Sequence, residues 1–193
     1  GFLVDLESGA TLAAKGMENP QTSFGNDLIA YASLIRREPD KALTLQDLAA
    51  EAINQLARDL AAQCGRPVAE IVEMTVAGNT MMHHLLLGLP VKQLGMTPFV
   101  AALSEPIDIK AREIGIEIAP GGVVHFFANI AGFVGGDHVA TLLATLEAGV
   151  DGKVIAMDIG TNTEISLIDG ERITSISCPS GPAFEGGNIS AGM

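Results

Sequence analysis

The residues best suited to chemistry in this 193-residue chain follow one apolar segment. The run Val154–Met157 predicts a buried strand that is covered on both faces. A carboxylate is costly to bury without a partner, so we expect Asp158, which ends the run, to open onto solvent, a cation or a ligand. The next residues are small or polar: Gly160, Thr161, Asn162 and Thr163.

The turn after Asp158 has the composition of a phosphate-binding loop. Glycine lets the backbone approach an anion, and the following residues supply hydroxyl, amide and N–H donors. Asp158 would then hold magnesium through water. The same residue types are common in ordinary hairpin turns, so residue types alone leave both interpretations open. Glu164 either orients water or metal or is a charged residue on a strand.

Other candidate ligand contacts lie at two further points of the sequence. A glycine-rich tail follows the third strand of this segment, and its candidates are Gly181, Glu185, Gly186 and Gly187. Asn79 stands after a predicted strand, at the end where open α/β sheets gather ligands, although it also suits the N-cap of the next helix. Asp137 opens a later helix with Gly135 and Gly136, as a cleft residue or an ordinary first-turn carboxylate.

Histidine and cysteine point to structural roles. His83 and His84 are adjacent on a predicted helix, where their side chains diverge by about 100° and cannot chelate one ion together. Cys64 and Cys178 are far apart in sequence and form no metal or redox motif. A reducing, cytoplasmic compartment is therefore expected.

Hydrophobic periodicity predicts alternating strands and helices. A capping arrangement at Thr44 predicts the start of a long helix that ends at Cys64. Repeated Pro and Gly between Pro90 and Pro120 predict loops and short edge strands. The remaining predicted elements are a hairpin over residues 2–14, a helix over 26–37, a strand ending near Ala77, a helix ending at Gly88, a strand over 123–128 and a helix over 136–147.

One plan, a strand, an acidic-Gly turn and a second strand, occurs twice. It is visible in "EISLIDGERITSIS" and in the opening "GFLVDLESGATLAA". The first of these segments is preceded by "VIAMDIGTNT", whereas the corresponding residues of the opening copy would lie before Gly1. A duplication therefore predicts that this chain is a fragment without the first strand and its phosphate loop.

Composition excludes some classes of function. The formal net charge of −12 and the pI near 4.6 disfavour nucleic acid as a partner, but they leave a magnesium nucleotide open. No apolar run approaches the ~20 residues of a membrane span. With 48% hydrophobic residues, the chain can bury a core of ordinary size.

Three motifs, "AGNTMMHHLLLGLP", "DIGTNTEISL" and "SGPAFEGGNISAGM", together resemble the ATP-dependent reductive activators of corrinoid proteins. These belong to the ATPase superfamily of acetate and sugar kinases, heat-shock chaperones and actin. The resemblance implies an α/β fold, the ribonuclease-H-like actin-type ATPase fold. Residues 1–149 would form most of the first subdomain, lacking its first strand and phosphate loop, and residues 150–193 would start the duplicated second one.

The same resemblance implies a function for the full-length protein. ATP and magnesium would drive reduction of cobalt(II) to cobalt(I) in a corrinoid protein or corrinoid-dependent methyltransferase, with a [2Fe-2S] cluster in an upstream domain. Asp158 and Glu164 would be catalytic, and Asp158 would also hold magnesium through water. The nucleotide contacts would be Asn79, Gly160, Thr161, Asn162, Thr163, Gly181, Glu185, Gly186 and Gly187; Thr163 stands where the family is expected to have glycine.

Two other functions stay open at this point. One is a small-molecule kinase or polyphosphate hydrolase of the same superfamily, since fold does not fix function. The other is a nucleotide-responsive binding module without catalysis. The isolated fragment is expected to be inactive. Its oligomeric state is open, a homodimer included.

Overall fold

The computed structural model describes residues 1–25 and 28–181 as a mixture of strands and helices. The strands are β1 (Phe2–Val4), β2 (Thr11–Ala14), β3 (Glu73–Val76), β4 (Ile107–Lys110), β5 (Val123–Phe126), β6 (Lys153–Ile159), β7 (Asn162–Asp169) and β8 (Arg172–Pro179). The α-helices are α1 (Leu28–Arg37), α2 (Lys41–Gln63), α3 (Thr80–Leu86) and α4 (Gly136–Glu147). Four short 3-10 helices span Pro20–Phe24, Val68–Glu70, Lys92–Gly95 and Ala111–Ile114.

These strands form three separate sheets in the described part of the chain. β1 and β2 make an antiparallel hairpin. The second sheet has the order β3-β5-β4, in which β3 is parallel and β4 antiparallel to the central β5. The third is an antiparallel meander in the order β6-β7-β8. None of the helices in these ranges has the length and hydropathy that a membrane crossing requires.

Apolar side chains form one core for each pair of packed layers. The helices α1, α2 and α3 share the first, which includes Tyr31, Leu45 and Leu85. In the second, Val124 and Phe126 of β5 pack with α2 and α3 residues. The third joins α4 to the β6-β7-β8 sheet through Leu142, Ala156 and Ile168. The long helix α2 therefore supports the first half of the chain, and α4 supports the last sheet.

Most predicted elements are found, with shifted boundaries. The helix α2 begins at Lys41, so Thr44 lies inside it and the capping prediction is wrong. The residues 26 and 27 of the predicted first helix lie outside the described ranges, and α1 is described from Leu28. The region from Pro90 to Pro120 contains the edge strand β4, and α4 has the predicted bounds.

The prediction that the apolar run is covered on both faces is wrong for the described residues. Ile155 and Met157 of β6 are 63% and 55% exposed, whereas Ala156 between them is 6% exposed. Only the face that contains Ala156 packs on α4. The strand also continues to Ile159, so Asp158 is its penultimate residue.

The adjacent histidines are buried and hydrogen-bonded. The Nε2 of His84 accepts the backbone N–H of Ala102 at 2.9 Å, so its Nδ1 carries the proton and donates to the carbonyl oxygen of Thr80 at 2.8 Å. These bonds tie α3 to the loop before β4. Among the described residues, no group of three or more His, Cys, Asp or Glu side chains is arranged to hold a metal ion.

Acid should destabilise the protein through His83. Burial, together with the neighbouring His84, lowers the pKa of His83 to about 4. The unfolded chain therefore binds a proton below pH 6.5 that the folded chain refuses until about pH 4, and stability falls as pH drops through this window. The slope is up to roughly 1.4 kcal/mol per pH unit for this one group.

Urea unfolding at pH 7 and at pH 5 gives the loss of unfolding free energy on acidification. This loss is compared between the wild type and His83→Gln. The variant should lose less stability on acidification because its side chain does not titrate. The carboxyl groups are the same in both proteins, so their contributions cancel. An equal loss of stability in both proteins would contradict the lowered pKa of His83 as its cause.

Candidate functional site

The inner face of the β6-β7-β8 sheet changes from apolar to polar along its length. Strand pairing aligns Val154 with Ile168, Ala156 with Ser166 and Asp158 with Glu164, so these pairs share the face that packs on α4. The apolar end contributes to the core, and the polar end lies beside the β6-β7 turn. The chain therefore presents two facing carboxylates at the tip of a hairpin.

A third carboxylate joins this pair from another element. Asp137 lies in the first turn of α4, close enough to the other two that the charge of Asp158 raises the pKa of Asp137 and the charge of Asp137 raises the pKa of Glu164. Its Oδ1 accepts the backbone N–H of His138 at 2.8 Å. Ser177 of β8 donates to Glu164 at 2.8 Å. We call Asp137, Asp158 and Glu164 the carboxylate cluster.

The negative charges of the carboxylate cluster repel one another. Desolvation raises the pKa of Asp137, and the negative charge of Asp158 raises it further. Desolvation also raises the pKa of Glu164, with added repulsion from the other two, against the lowering effect of the Ser177 hydrogen bond. None of the salt bridges described for the chain includes a member of the cluster. A cation bound here would relieve this repulsion.

The turn between β6 and β7 is held by its own backbone. The N–H of Gly160 donates to the carbonyl oxygen of Asn162 at 2.9 Å. The carbonyl oxygen of Thr161 accepts two N–H groups, from Ser180 at 3.0 Å and from Gly181 at 2.8 Å. The turn is therefore rigid, and the N–H of Gly160 already has a partner.

Thr163 points away from the carboxylate cluster. Its neighbour Glu164 lies on the inner face, so the side chain of Thr163 lies on the opposite one, where it is 7% exposed. Its Oγ1 lies 2.5 Å from the Oγ of Ser180, and its carbonyl oxygen accepts a weak bond from the Cys178 thiol. In this structure Thr163 fastens β7 to the end of β8.

The structure brings some of the predicted site residues together. Gly181 has a φ of 84°, the left-handed region that favours glycine, and it folds back onto Thr161. The predicted contacts Glu185, Gly186 and Gly187 lie outside the described residues. Asn79 is the N-cap of α3, where its Oδ1 accepts the N–H of Met82 at 3.0 Å. Its contact with a nucleotide stays a prediction.

A close backbone contact connects Asn79 to the cluster. The N–H of Asp137 donates to the carbonyl oxygen of Gly78 at 3.1 Å. A Cβ on Gly135 would lie 2.6 Å from the backbone nitrogen of Thr80 and 2.7 Å from the Cα of Asn79. The N-terminal ends of α3 and α4 therefore meet, and Asn79 lies next to the segment that carries Asp137.

A buried polar chain beneath the cluster was missed by sequence reasoning. The Nε2 of His138 lies 2.7 Å from the Oγ of Ser166, which lies 2.6 Å from the Oγ of Ser175. His138 and Ser166 are fully buried. This row of hydrogen-bonded side chains fixes α4 on the third sheet. The pairing of Ser166 with Ser175 could have been found by counting back from the Asp169-Gly170 turn.

Comparison with known proteins identifies relatives along the full chain. A family model described as the RACo middle region matches residues 1–147, and one described as the C-terminal domain of RACo, the ASKHA domain, matches residues 152–193. The chain is 30% identical over 194 residues to corrinoid activation enzyme RamQ of Eubacterium limosum, covering 100% of this chain and 32% of RamQ.

A solved structure gives the same result. The chain superimposes on a reductive activator for corrinoid, iron-sulfur protein with a TM-score of 0.92 and 37% sequence identity, covering 100% of this chain and 31% of that one. The predicted fold class, part of an actin-like ATPase fold, is confirmed by this match and by the ASKHA model. The chain spans about a third of the length of these relatives.

Gly135→Ala should weaken the junction of α3 and α4. The added methyl group would overlap backbone atoms, which cannot rotate away, so we expect a loss of about 1–3 kcal/mol in unfolding free energy. The backbone of Gly135 has a φ of −95°, which alanine adopts without strain. The control is Gly121→Ala, where the new methyl group meets nothing within 4 Å. Equal stability of the two variants would contradict this close contact.

Asp137→Asn should stabilise the ligand-free protein at neutral pH. The raised pKa of Asp137 means that its ionised form is less favourable in the folded than in the unfolded chain. The cost appears as pH rises through the folded pKa, and below the unfolded value it is absent. Thermal unfolding should therefore show a gain at pH 7 that disappears at low pH.

The matched control for this variant is Asp151→Asn, in the exposed turn before β6. It should leave the melting temperature unchanged at both pH values. A loss of stability in Asp137→Asn at pH 7 would show that the helix-terminal role of Asp137 outweighs the repulsion.

Proposed function

This chain belongs to the RACo family, and we propose that it forms the nucleotide-binding part of a protein that uses ATP to reduce a cobalt(II) corrinoid to cobalt(I). The observation that carries this proposal is the carboxylate cluster at the tip of the β6-β7 hairpin. The relatives are named for corrinoid activation and for reductive activation of a corrinoid, iron-sulfur protein. The match of residues 152–193 to an ASKHA domain supports ATP as the nucleotide.

The carboxylate cluster fits magnesium bound through water. Magnesium prefers oxygen ligands and keeps several of its waters. Three carboxylates near one another, with raised pKa values at Asp137 and Glu164, supply both the ligand type and the negative charge that a divalent ion would offset.

The β6-β7 turn fits the position of the phosphates. It lies beside Asp158 and is braced by Gly181, so its geometry need not reorganise when an anion arrives. Thr161 and Asn162, which lie at this turn, would contact the phosphates together with Gly160. Thr163 would support the turn from its other face.

Asp158 and Glu164 would divide the chemical roles. Asp158 would hold the magnesium waters that accompany the nucleotide. Glu164, oriented by Ser177, would hold or orient the water that attacks the terminal phosphate. Its raised pKa brings it nearer to the range in which a carboxylate accepts a proton effectively.

Helix α4 would transmit nucleotide binding to the third sheet. Its first turn carries Asp137 of the carboxylate cluster, and the next residue, His138, is hydrogen-bonded to Ser166 of β7. A nucleotide that attracts or repels the cluster would therefore move α4 and the third sheet together. The free energy available for this movement equals the difference in nucleotide-binding free energy between the positions of α4 before and after the movement.

The chain would contribute to two ATPase subdomains, and the electron source would lie outside this chain. Residues 1–149 would be most of the first ATPase subdomain, and residues 150–193 would begin the second. The electron would come from a [2Fe-2S] cluster in an upstream domain, and the acceptor would be a corrinoid protein or corrinoid-dependent methyltransferase. Cys64 and Cys178 are both free, which fits a cytoplasmic protein.

Asp158→Asn in the full-length protein should abolish ATP-dependent cobalt(I) formation. The amide keeps the shape of the side chain and its strand pairing, but it lacks the charge that holds the magnesium waters. We expect a loss of about 100-fold or more, measured by absorbance of cobalt(I) with a cobalt(II) corrinoid protein and a reductant.

The control is Asp169→Asn at the other end of the same hairpin, where the carboxylate pairs with exposed Lys153. It should retain activity. Unchanged coupling in Asp158→Asn would remove this residue from the site. ATP turnover that is indifferent to every corrinoid protein would instead favour the kinase or hydrolase.

A further inference from the structure

Asp137 and His138, consecutive residues at the start of α4, contact their surroundings in different ways. The carboxylate of Asp137 belongs to the carboxylate cluster, and its Oδ1 accepts the backbone N–H of His138 at 2.8 Å. The ring of His138 reaches β7, where its Nε2 lies 2.7 Å from the Oγ of Ser166. The Asp137 carboxylate is therefore bonded to the backbone of the residue whose ring is bonded to the sheet.

Glu164 and Ser166 are the corresponding pair of residues on β7. They are two positions apart, so both side chains lie on the inner face of the third sheet. Glu164 belongs to the carboxylate cluster with Asp137, and Ser166 bonds to His138, the residue after Asp137. On both α4 and β7, a carboxylate of the cluster thus lies within two residues of one end of the same hydrogen bond.

Strand β8 supports both of these β7 side chains. The register pairs Glu164 with Ser177 and Ser166 with Ser175. Ser177 donates to Glu164 at 2.8 Å, and the Oγ of Ser175 lies 2.6 Å from the Oγ of Ser166. The inner face of β8 therefore holds Glu164 and the partner of His138 in one register.

The bond to Ser166 is the single polar contact of the His138 ring within the described part of the chain. The Nδ1 of His138 is buried there without a partner. Because a buried N–H without a partner is rarer than a buried acceptor without one, we place the proton on Nε2, which then donates to Ser166. Both side chains are fully buried, so solvent does not compete for this bond.

We propose that His138 is a positioning residue that sets the separation between the carboxylates of Asp137 and Glu164. Its bond to Ser166 holds α4 against β7 beside the cluster, where like charges would otherwise push the two carboxylates apart. Held close together, they offer a divalent cation and its waters two negative charges in a fixed arrangement. This inference rests on the proposed function, since it requires that the cluster serves magnesium.

The apolar contacts of α4 act at a different level of the helix. Leu142 packs with Ala156 and Ile168 in the third core. It follows His138 by four residues, which is about 6 Å along the helix axis. The third core therefore holds the middle of α4, whereas the bond of His138 holds its first turn. Leu142 thus provides a control that loosens the same helix without removing this bond.

Metal binding to the full-length protein tests the role of His138. The probe is Mn²⁺, which takes the same oxygen ligands as Mg²⁺. Its free concentration is measured by electron paramagnetic resonance in the presence of a nonhydrolysable ATP analogue. His138→Leu lacks the donor and should weaken Mn²⁺ binding about tenfold or more, as is usual when a group that orients metal ligands is lost. Ser166→Ala should have the same effect, and the double variant no larger one, because all three lack the same bond.

Two further variants separate positioning from stability. His138→Gln places an amide N–H near the position of Nε2, so it should restore most of the Mn²⁺ affinity that His138→Leu loses. Leu142→Ala leaves a cavity in the third core and should lower the melting temperature, while its Mn²⁺ affinity stays close to that of the wild type.

The results that contradict the inference differ from those that contradict the proposed function. Unchanged Mn²⁺ affinity in His138→Leu and Ser166→Ala would overturn the positioning role and leave the magnesium site in place. An equal loss of affinity in Leu142→Ala, or in His138→Gln, would overturn it by showing that the bond to Ser166 is not the cause. Mn²⁺ binding that is absent from the wild type, or unaffected by Asp158→Asn, would refute the magnesium site itself and this inference with it.

Discussion

The structure depends on one close backbone contact, where the start of α4 meets the end of β3. The N–H of Asp137 reaches the carbonyl oxygen of Gly78, and Gly135 allows this because a side chain there would overlap the backbone of Asn79 and Thr80. The contact fixes where α4 begins and therefore where Asp137 and His138 point. It therefore links the helix that supports the last sheet directly to the first half of the chain.

The buried polar groups and the carboxylate cluster have opposite energetic consequences. The hydrogen bond between His138 Nε2 and Ser166 Oγ satisfies these two buried atoms and holds α4 on the sheet, while Nδ1 of His138 has no partner among the described residues. The cluster a few residues away brings like charges together, which costs stability as long as no cation is present. A rigid support under an unfavourable cluster is typical of a binding site, because the cost is recovered only when the ligand arrives.

The sequence predicted most of the local elements and a strand that carries Asp158 near its end, but not how the cluster is completed. The Asp-Gly-Thr turn and the hairpin pattern are local signals, and the pairing of Asp158 with Glu164 follows from counting along the hairpin. The approach of Asp137 depends on a contact across about 60 residues of sequence, which periodicity does not report. The exposed face of β6 was mispredicted because an apolar run indicates burial without indicating what provides it.

The repeat and the site together show how a change of charge at the carboxylate cluster would act on the rest of the chain. Each half is built on a hairpin, and in the second half the preceding strand β6 carries Asp158. Helix α4 belongs to neither hairpin, yet it bonds backward to Gly78 and forward to Ser166. A change of charge at the cluster therefore acts on an element held from both sides. Movement of α4 as one unit would convert local electrostatics into a change between two arrangements.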